Sequence, residues 1–172
     1  AGNIWKGKGF YVVSKAAHGL LTENIKFLIA GTFSPGTNSL HREFQRMTPP
    51  NVEYLGCIKH DDLANYFASA AITVVPSRWE DPCPLVVMES MSCGTPVIAS
   101  RIGGIPELID DRLTGLLITS GSVKELMDAI LWCKNHPLRI REMGIEARKK
   151  ALRFDWRIIS EQLTKIYEEI LS

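Results

Sequence analysis

Residues 72–100, ITVVPSRWEDPCPLVVMESMSCGTPVIAS, hold a complete strand–helix–strand unit. The β-branched run 72–75 is short enough to be a buried strand. Pro76 ends it, and a loop carrying Glu80 and Asp81 follows. Leu85, Met88 and Ser92 then keep helical spacing, with Pro84 expected at the first helical position, where a missing N–H costs nothing. Gly94-Thr95 turns the chain into a second short strand, 96–99. Two strands joined through a helix pair in parallel and need cover on both faces.

The same alternation extends in both directions. Upstream, Phe10, Val13, Ala17, Leu20 and Leu21 mark a helix, 25–30 a strand stopped by Gly31, and Leu40, Phe44 and Met47 a helix ended by Pro49-Pro50. Strand 52–55 follows. A further helix through Leu63, Tyr66, Phe67 and Ala70 begins near Asp61 or Asp62. Downstream lie a strand at 115–118, a capping box at Ser122-x-x-Glu125, a helix opened by Pro137, and a last helix faced by Trp156, Ile159, Leu163, Ile166, Tyr167 and Ile170. The expected fold class is α/β: a doubly wound, Rossmann-like parallel sheet with extra C-terminal helices. Residues 1–172 form one domain by the length prior of roughly 100–200 residues. The first strand of such a sheet is central, and no strand pattern precedes Ala1-Gly2, so the numbered chain is expected to start late.

Composition excludes several classes. The 172 residues are 45% hydrophobic and 23% charged, with a net charge of +1 and no basic block or acidic tail. Nothing asks for nucleic acid or an anionic membrane. No apolar run reaches the roughly 18 residues that span a bilayer, and no signal peptide is visible. Cys57, Cys83, Cys93 and Cys133 form no CxxC pair, and no His lies at metal-ligand spacing from them, so free thiols in a reducing cytoplasm are expected. Gly7-Lys8-Gly9 lacks the spacing of a Walker loop, no GxGxxG follows a strand, and no GxSxG elbow exists. Asp61-Asp62 and Asp110-Asp111 read as helix-start and turn carboxylates, and the four histidines as surface or structural residues.

In a doubly wound sheet, ligands bind outside the carboxyl ends of the strands. That singles out the loops 31–38, 56–60, 76–84 and 100–106. The helix after Pro84 starts there, so the amides of Leu85 and Val86 have no intrahelical acceptor and suit a diphosphate. Glu89 lies one turn further on, leaning back toward that start. A carboxylate there would repel phosphate, but it can accept hydrogen bonds from a vicinal diol such as ribose. Asp81 lies in the loop toward the far end of the diphosphate.

The segment resembles the retaining glycosyltransferases of the GT-B fold, the glycosyl transferases group 1 family, in their C-terminal, donor-binding half. That family carries Glu-x7-Glu inside PSxxExxPLVxxEAMxxGxPVxA, then GGxPE, then TGLL. Here stand Pro76-Ser77, Asp81-x7-Glu89, Met91, Gly94-Thr95-Pro96-Val97, Gly103-Gly104-Ile105-Pro106-Glu107 and Thr114-Gly115-Leu116-Leu117. Phe154-Asp155-Trp156 and the closing helix with Tyr167 also look like the family's tail.

The resemblance implies a nucleotide-diphosphate sugar as donor, with Glu89 on the ribose hydroxyls and the amides of Leu85 and Val86 on the diphosphate. It implies Asp81, in place of the first Glu, on the transferred sugar. Ile58 would meet the base through its backbone, and Cys83 belongs with the donor-loop contacts. Gly2-Asn3 and Lys8-Gly9 take the places of the family's Gly-Arg and Lys-Gly, so Asn3 and Lys8 would face the leaving diphosphate. Asp81 is one methylene shorter than Glu. Asn3 removes a permanent charge where negative charge develops, a loss Arg78 or Lys6 would have to offset.

The implied reaction is metal-independent transfer with retention and no cofactor, to a glycan, lipid or other acceptor held by an N-terminal domain absent here. Membrane association would come only through that half. Two alternatives remain: a catalytically degenerate nucleotide-sugar-binding module, and a nucleotide-sugar epimerase on the same fold.

Overall fold

The computed structural model describes residues 4–171. In chain order the elements are α1 (Phe10–Gly19), β1 (Phe27–Ala30), α2 (Asn38–Met47), β2 (Val52–Gly56), α3 (His60–Ser69), β3 (Thr73–Val75), α4 (Leu85–Ser92), β4 (Val97–Ser100), α5 (Ile105–Leu108), β5 (Gly115–Ile118), α6 (Val123–Asn135), α7 (Pro137–Ala151) and α8 (Trp156–Leu171). The strand–helix alternation expected from hydrophobic spacing is present throughout, and β5 has the expected bounds. The short helix α5, which begins within Gly-Gly-Ile-Pro-Glu and ends at Leu108, has too few residues to display a period.

All strand pairs are parallel. They form two sheets, β1-β2 and β3-β4-β5. No strand among the described residues joins β1 to β3, where a continuous doubly wound sheet would have its middle. The amide of Ile4 donates to the carbonyl of Thr32 at 2.7 Å, which places the start of the described chain beside the carboxyl end of β1.

β4 shows why both faces of the sheet are covered. Its four residues are all buried. Side chains alternate along a strand, so Ile98 enters a core shared with α1, α6 and α7, built on Val12, Ala16, Leu20, Leu126, Ile130 and Met143. Val97 and Ala99 enter a second core with Val87, Met91, Ile105, Leu108 and Ala147. Each large side chain so buried is worth about 1.5–3 kcal/mol. A third, smaller cluster joins Ile4, Phe10 and Phe44.

Two helix starts differ from expectation in detail. Pro84 is the cap residue of α4 (φ −70°, ψ 101°), one position before the helix proper. The residue before Leu85 must leave helical geometry, and proline does so without strain. At α6, Ser122 Oγ accepts from the amide of Glu125 at 3.2 Å, as a capping box requires. The Glu125 carboxylate, however, reaches past Ser122 to the amide of Thr119 at 2.7 Å. Ser122's own amide is already bonded to the Thr119 carbonyl and so is not open to the carboxylate. Helix α8 has no buried residue; Trp156, Tyr167 and Ile170 on its apolar side are exposed.

Candidate functional site

Three loops meet at the carboxyl end of β3. The loop 76–84 leaves the strand through Pro76 and Ser77. Ser77 is 2% exposed, and its hydroxyl donates to the Trp79 carbonyl at 2.9 Å. Its carbonyl accepts from Ser120 Oγ at 3.0 Å, which ties the loop to the segment after β5. Asp81 N–H also donates to the Trp79 carbonyl, at 2.9 Å, so residues 77–81 form a tight turn.

The second loop is the turn before α1. The Arg78 amide donates to the Gly7 carbonyl at 2.7 Å. Gly9 caps α1 with φ 77°, a left-handed conformation that suits glycine, and a Cβ there would overlap the Pro76 carbonyl. The chain can pass this close to β3 only because the position is bare. The passage puts Lys8 at the site: its Nζ lies 2.8 Å from Asp81 Oδ2.

The third loop is Gly103-Gly104. Gly104 N–H donates to the Asp81 carbonyl at 3.0 Å. Gly103 has φ +55°, and a Cβ on it would lie 2.6 Å from the Asp81 carbonyl oxygen and 2.9 Å from its nitrogen. A Cβ on Gly104 would overlap the Pro82 carbonyl. The two glycines form a seat on which the Asp81 loop rests.

Asp81 is therefore fixed from both sides. Its Oδ1 accepts from the Cys83 amide at 3.3 Å while Oδ2 takes the Lys8 ammonium. The hydrogen bond from Lys8 is the largest influence on its carboxyl and holds it below the usual carboxylate value, against a smaller opposing effect of burial. The side chains of Lys8 and Asp81 are 40% and 23% exposed, so the pair is reachable by a ligand and partly screened by water.

Beyond this pair α4 begins. The first amide engaged at its start is that of Val87, which donates to the Pro84 carbonyl at 3.0 Å. The amides of Leu85 and Val86 have no acceptor among the described residues. Glu89 is half-buried, and among the described residues its carboxylate has no hydrogen bond or ion pair. Two open amides at a helix N-terminus and a free carboxylate one turn along, with an ammonium held by Asp81 in the preceding loop, are the chemistry of an anion site with a hydroxyl-binding neighbour.

The structure thus gathers Lys8, Asp81, Cys83, Leu85, Val86 and Glu89 on neighbouring segments. Ile58 is half-buried in the loop after β2, in the other half-sheet, with no backbone hydrogen bond among the described residues. Asn3 lies outside the described residues. Lys6 lies 5.8 Å over the Tyr11 ring, while Arg78 is exposed beside the site. Among the described residues no group of His, Cys, Asp and Glu could hold a metal ion, and no helix is long and apolar enough to cross a membrane. The four cysteines are free, Cys57 and Cys83 exposed and Cys133 buried. The parts played by Ser77, Ser120 and Trp79 escaped the sequence reading. Only the Pro-Ser pair ahead of the loop hinted at the turn.

Parallel strands covered by helices on both faces, with loops gathered at the carboxyl end of β3, give the Rossmann-like architecture of a GT-B C-terminal domain. A family model described as "Glycosyl transferases group 1" matches residues 1–136, and the chain belongs to that family. D-inositol 3-phosphate glycosyltransferase of Corynebacterium kroppenstedtii is 30% identical over 182 residues, covering 99% of this chain and 40% of that protein. The same-named enzyme of Saccharomonospora viridis is 36% identical over 111 residues, covering 64% of this chain and 26% of that protein. Among solved structures, sucrose-phosphate synthase of Thermosynechococcus elongatus superposes with a TM-score of 0.81 at 28% identity, over 99% of this chain and 45% of that one. Anabaena HepE, in complex with UDP and glucose, shares the fold with a TM-score of 0.87 at 23% identity, over 98% of this chain and 47% of that one. The chain spans less than half the length of each of these proteins.

Proposed function

We propose that this chain holds a nucleotide-diphosphate sugar for a retaining, metal-independent glycosyl transfer whose acceptor is held by a second domain. The observation that carries this reading is the open start of α4. The free amides of Leu85 and Val86 stand one turn from an unpartnered Glu89, with Lys8 and Asp81 at the adjoining loop.

In this reading the diphosphate takes the two amides and the Lys8 ammonium, all of which favour negative charge. Glu89 accepts hydrogen bonds from the ribose hydroxyls. Asp81, aimed by Cys83 N–H and seated on Gly103-Gly104, accepts from hydroxyls of the transferred sugar. As the acceptor's hydroxyl oxygen bonds to the anomeric carbon and its proton passes to the departing diphosphate, the bond from that carbon to the diphosphate breaks and its electron pair goes to the phosphate oxygen, where the amides and Lys8 stabilise the charge. Ile58 contributes a backbone edge to the base, Asn3 adds a neutral polar group at the diphosphate, and the acceptor is a glycan, lipid or similar hydroxyl compound. Support for the donor class comes from HepE, seen with UDP and with UDP-glucose, and from the family's named transferases.

Calorimetric titration of the chain with UDP, UDP-glucose, ADP-glucose and GDP-mannose tests the reading. One nucleotide sugar should bind at least about tenfold better than the others, a difference of roughly 1.4 kcal/mol. No binding by any of the four refutes the reading. The chain alone should transfer negligible sugar, and sustained transfer would show that no second domain is needed.

A further inference from the structure

The Lys8–Asp81 pair has a neighbour that the donor reading does not use. Trp79 is 57% exposed and Trp5 is 36% exposed, although both are large apolar residues. Their rings meet edge to face, with centroids 5.6 Å apart and planes at 65°. An edge-on contact covers only one of the four ring faces, so the pair leaves indole surface open to solvent.

The Trp79 backbone and the Trp5 ring are each fixed by neighbours. The Trp79 amide donates to the buried Ser77 hydroxyl at 3.3 Å, and the Trp79 carbonyl accepts from the same hydroxyl and from the Asp81 amide. Trp5 lies against Gly7, where a Cβ would overlap the indole. The Gly7 carbonyl in turn accepts from Arg78, the residue before Trp79. One short hydrogen-bonded connection therefore sets both tryptophans and Asp81. Exposed aromatic surface on a fixed loop is a binding feature more than a packing one.

Chemistry narrows the occupant. A pyranose ring has an apolar C–H face and a rim of hydroxyls. The face suits an open indole, and the rim suits the carboxylate oxygens of Asp81 and the donors of Lys8 and Arg78. We propose that Trp5 and Trp79 form an aromatic ledge for a pyranose ring, with Trp79 as its main contact. The ring is either the sugar carried by the donor or the terminal sugar of the acceptor. This rests on the nucleotide-sugar reading above for its setting, but its chemistry is independent of the diphosphate contacts.

The test uses wild type, Trp79→Ala and Trp79→Phe. UDP and UDP-glucose are titrated calorimetrically. Methyl α-glucopyranoside and methyl α-mannopyranoside are followed by saturation-transfer NMR in the presence of UDP. UDP has no pyranose, so its affinity shows whether each variant keeps its diphosphate site. Trp79→Ala should weaken UDP-glucose relative to UDP about tenfold if the donor's sugar sits on the ledge. It should weaken a methyl pyranoside about tenfold if the acceptor's sugar does, and Trp79→Phe should retain most of the binding in either case. The ledge is overturned if both sugar-dependent signals stay within about twofold of wild type. Failure of UDP to bind wild type would instead strike the donor reading and leave the pyranoside arm to judge the ledge.

Discussion

Replacing Gly103 by alanine tests whether the Asp81 loop rests on the two-glycine seat. Two costs arise, and they can be separated. Gly103 has φ +55°, where an L-residue is disfavoured by about 1–2 kcal/mol. The new Cβ would also stand 2.6 Å from the Asp81 carbonyl oxygen, 2.9 Å from its nitrogen and 3.0 Å from the Glu80 carbonyl carbon. All three atoms are backbone and cannot swing aside, so about 1–3 kcal/mol of overpacking is added. Gly36 supplies the control: its φ is +82° and nothing lies within 4 Å of its Cβ position, so Gly36→Ala meets the first cost alone. At about 2–4 °C per kcal/mol for a chain of this size, Gly103→Ala should melt roughly 2–12 °C lower than Gly36→Ala if the loop stays put. If the loop yields, the melting difference shrinks and affinity for the nucleotide sugar falls, because Asp81 moves with its own backbone. Thermal unfolding and titration on the same samples read both. Equal melting shifts together with an unchanged affinity would show that the seat holds nothing.

Asp81 should also leave a mark on acid stability. Its folded carboxyl lies below the usual value of 3.8, chiefly through the Lys8 hydrogen bond. Its stabilisation is therefore complete above that value and is lost as pH falls through the lowered one. Asp81→Asn should lose less stability than wild type between about pH 5 and pH 3, and urea unfolding across that range with coincident curves would contradict this. Glu89→Gln keeps the shape but replaces a charged acceptor with a neutral amide. A loss of about 1–2 kcal/mol in nucleoside diphosphate binding, five- to thirtyfold by calorimetry, is expected, and an unchanged affinity would remove Glu89 from the site. Burial pushes the Cys133 thiol up to about 12, so a thiol reagent at neutral pH should label the exposed Cys57 and Cys83 well before Cys133. Equal labelling rates in the native protein would contradict its burial.

Much of this was legible in the chain because periodicity and punctuation are local signals. The open start of α4 could be placed from Pro84 and the apolar spacing behind it, and β5 from four residues between Thr114 and Thr119. What escaped was non-local or conformational. Lys8 and Asp81 are 73 residues apart, and no spacing rule connects them; the resemblance named both residues but not their contact. Ser77 reads as an ordinary loop residue until its burial and its bonds to the Trp79 and Ser120 segments are seen. The reach of Glu125 to Thr119 depends on which amide was already occupied. The split between β1-β2 and β3-β4-β5 concerns which strands are neighbours, whereas hydrophobic pattern reports only which residues are strands.

The contact between Lys8 and Asp81 has a consequence for selectivity in time. Under the proposed reading, a bare nucleoside diphosphate that draws Lys8 toward its phosphates takes a partner from Asp81 and offers it no hydroxyl in exchange. An intact donor does offer one, since the sugar reaches Asp81 as the phosphates reach Lys8. The pair then acts as a coincidence detector, engaged fully only when both ends of the donor arrive together. In that reading the spent nucleotide is left in conflict with the resting contact, which favours its release.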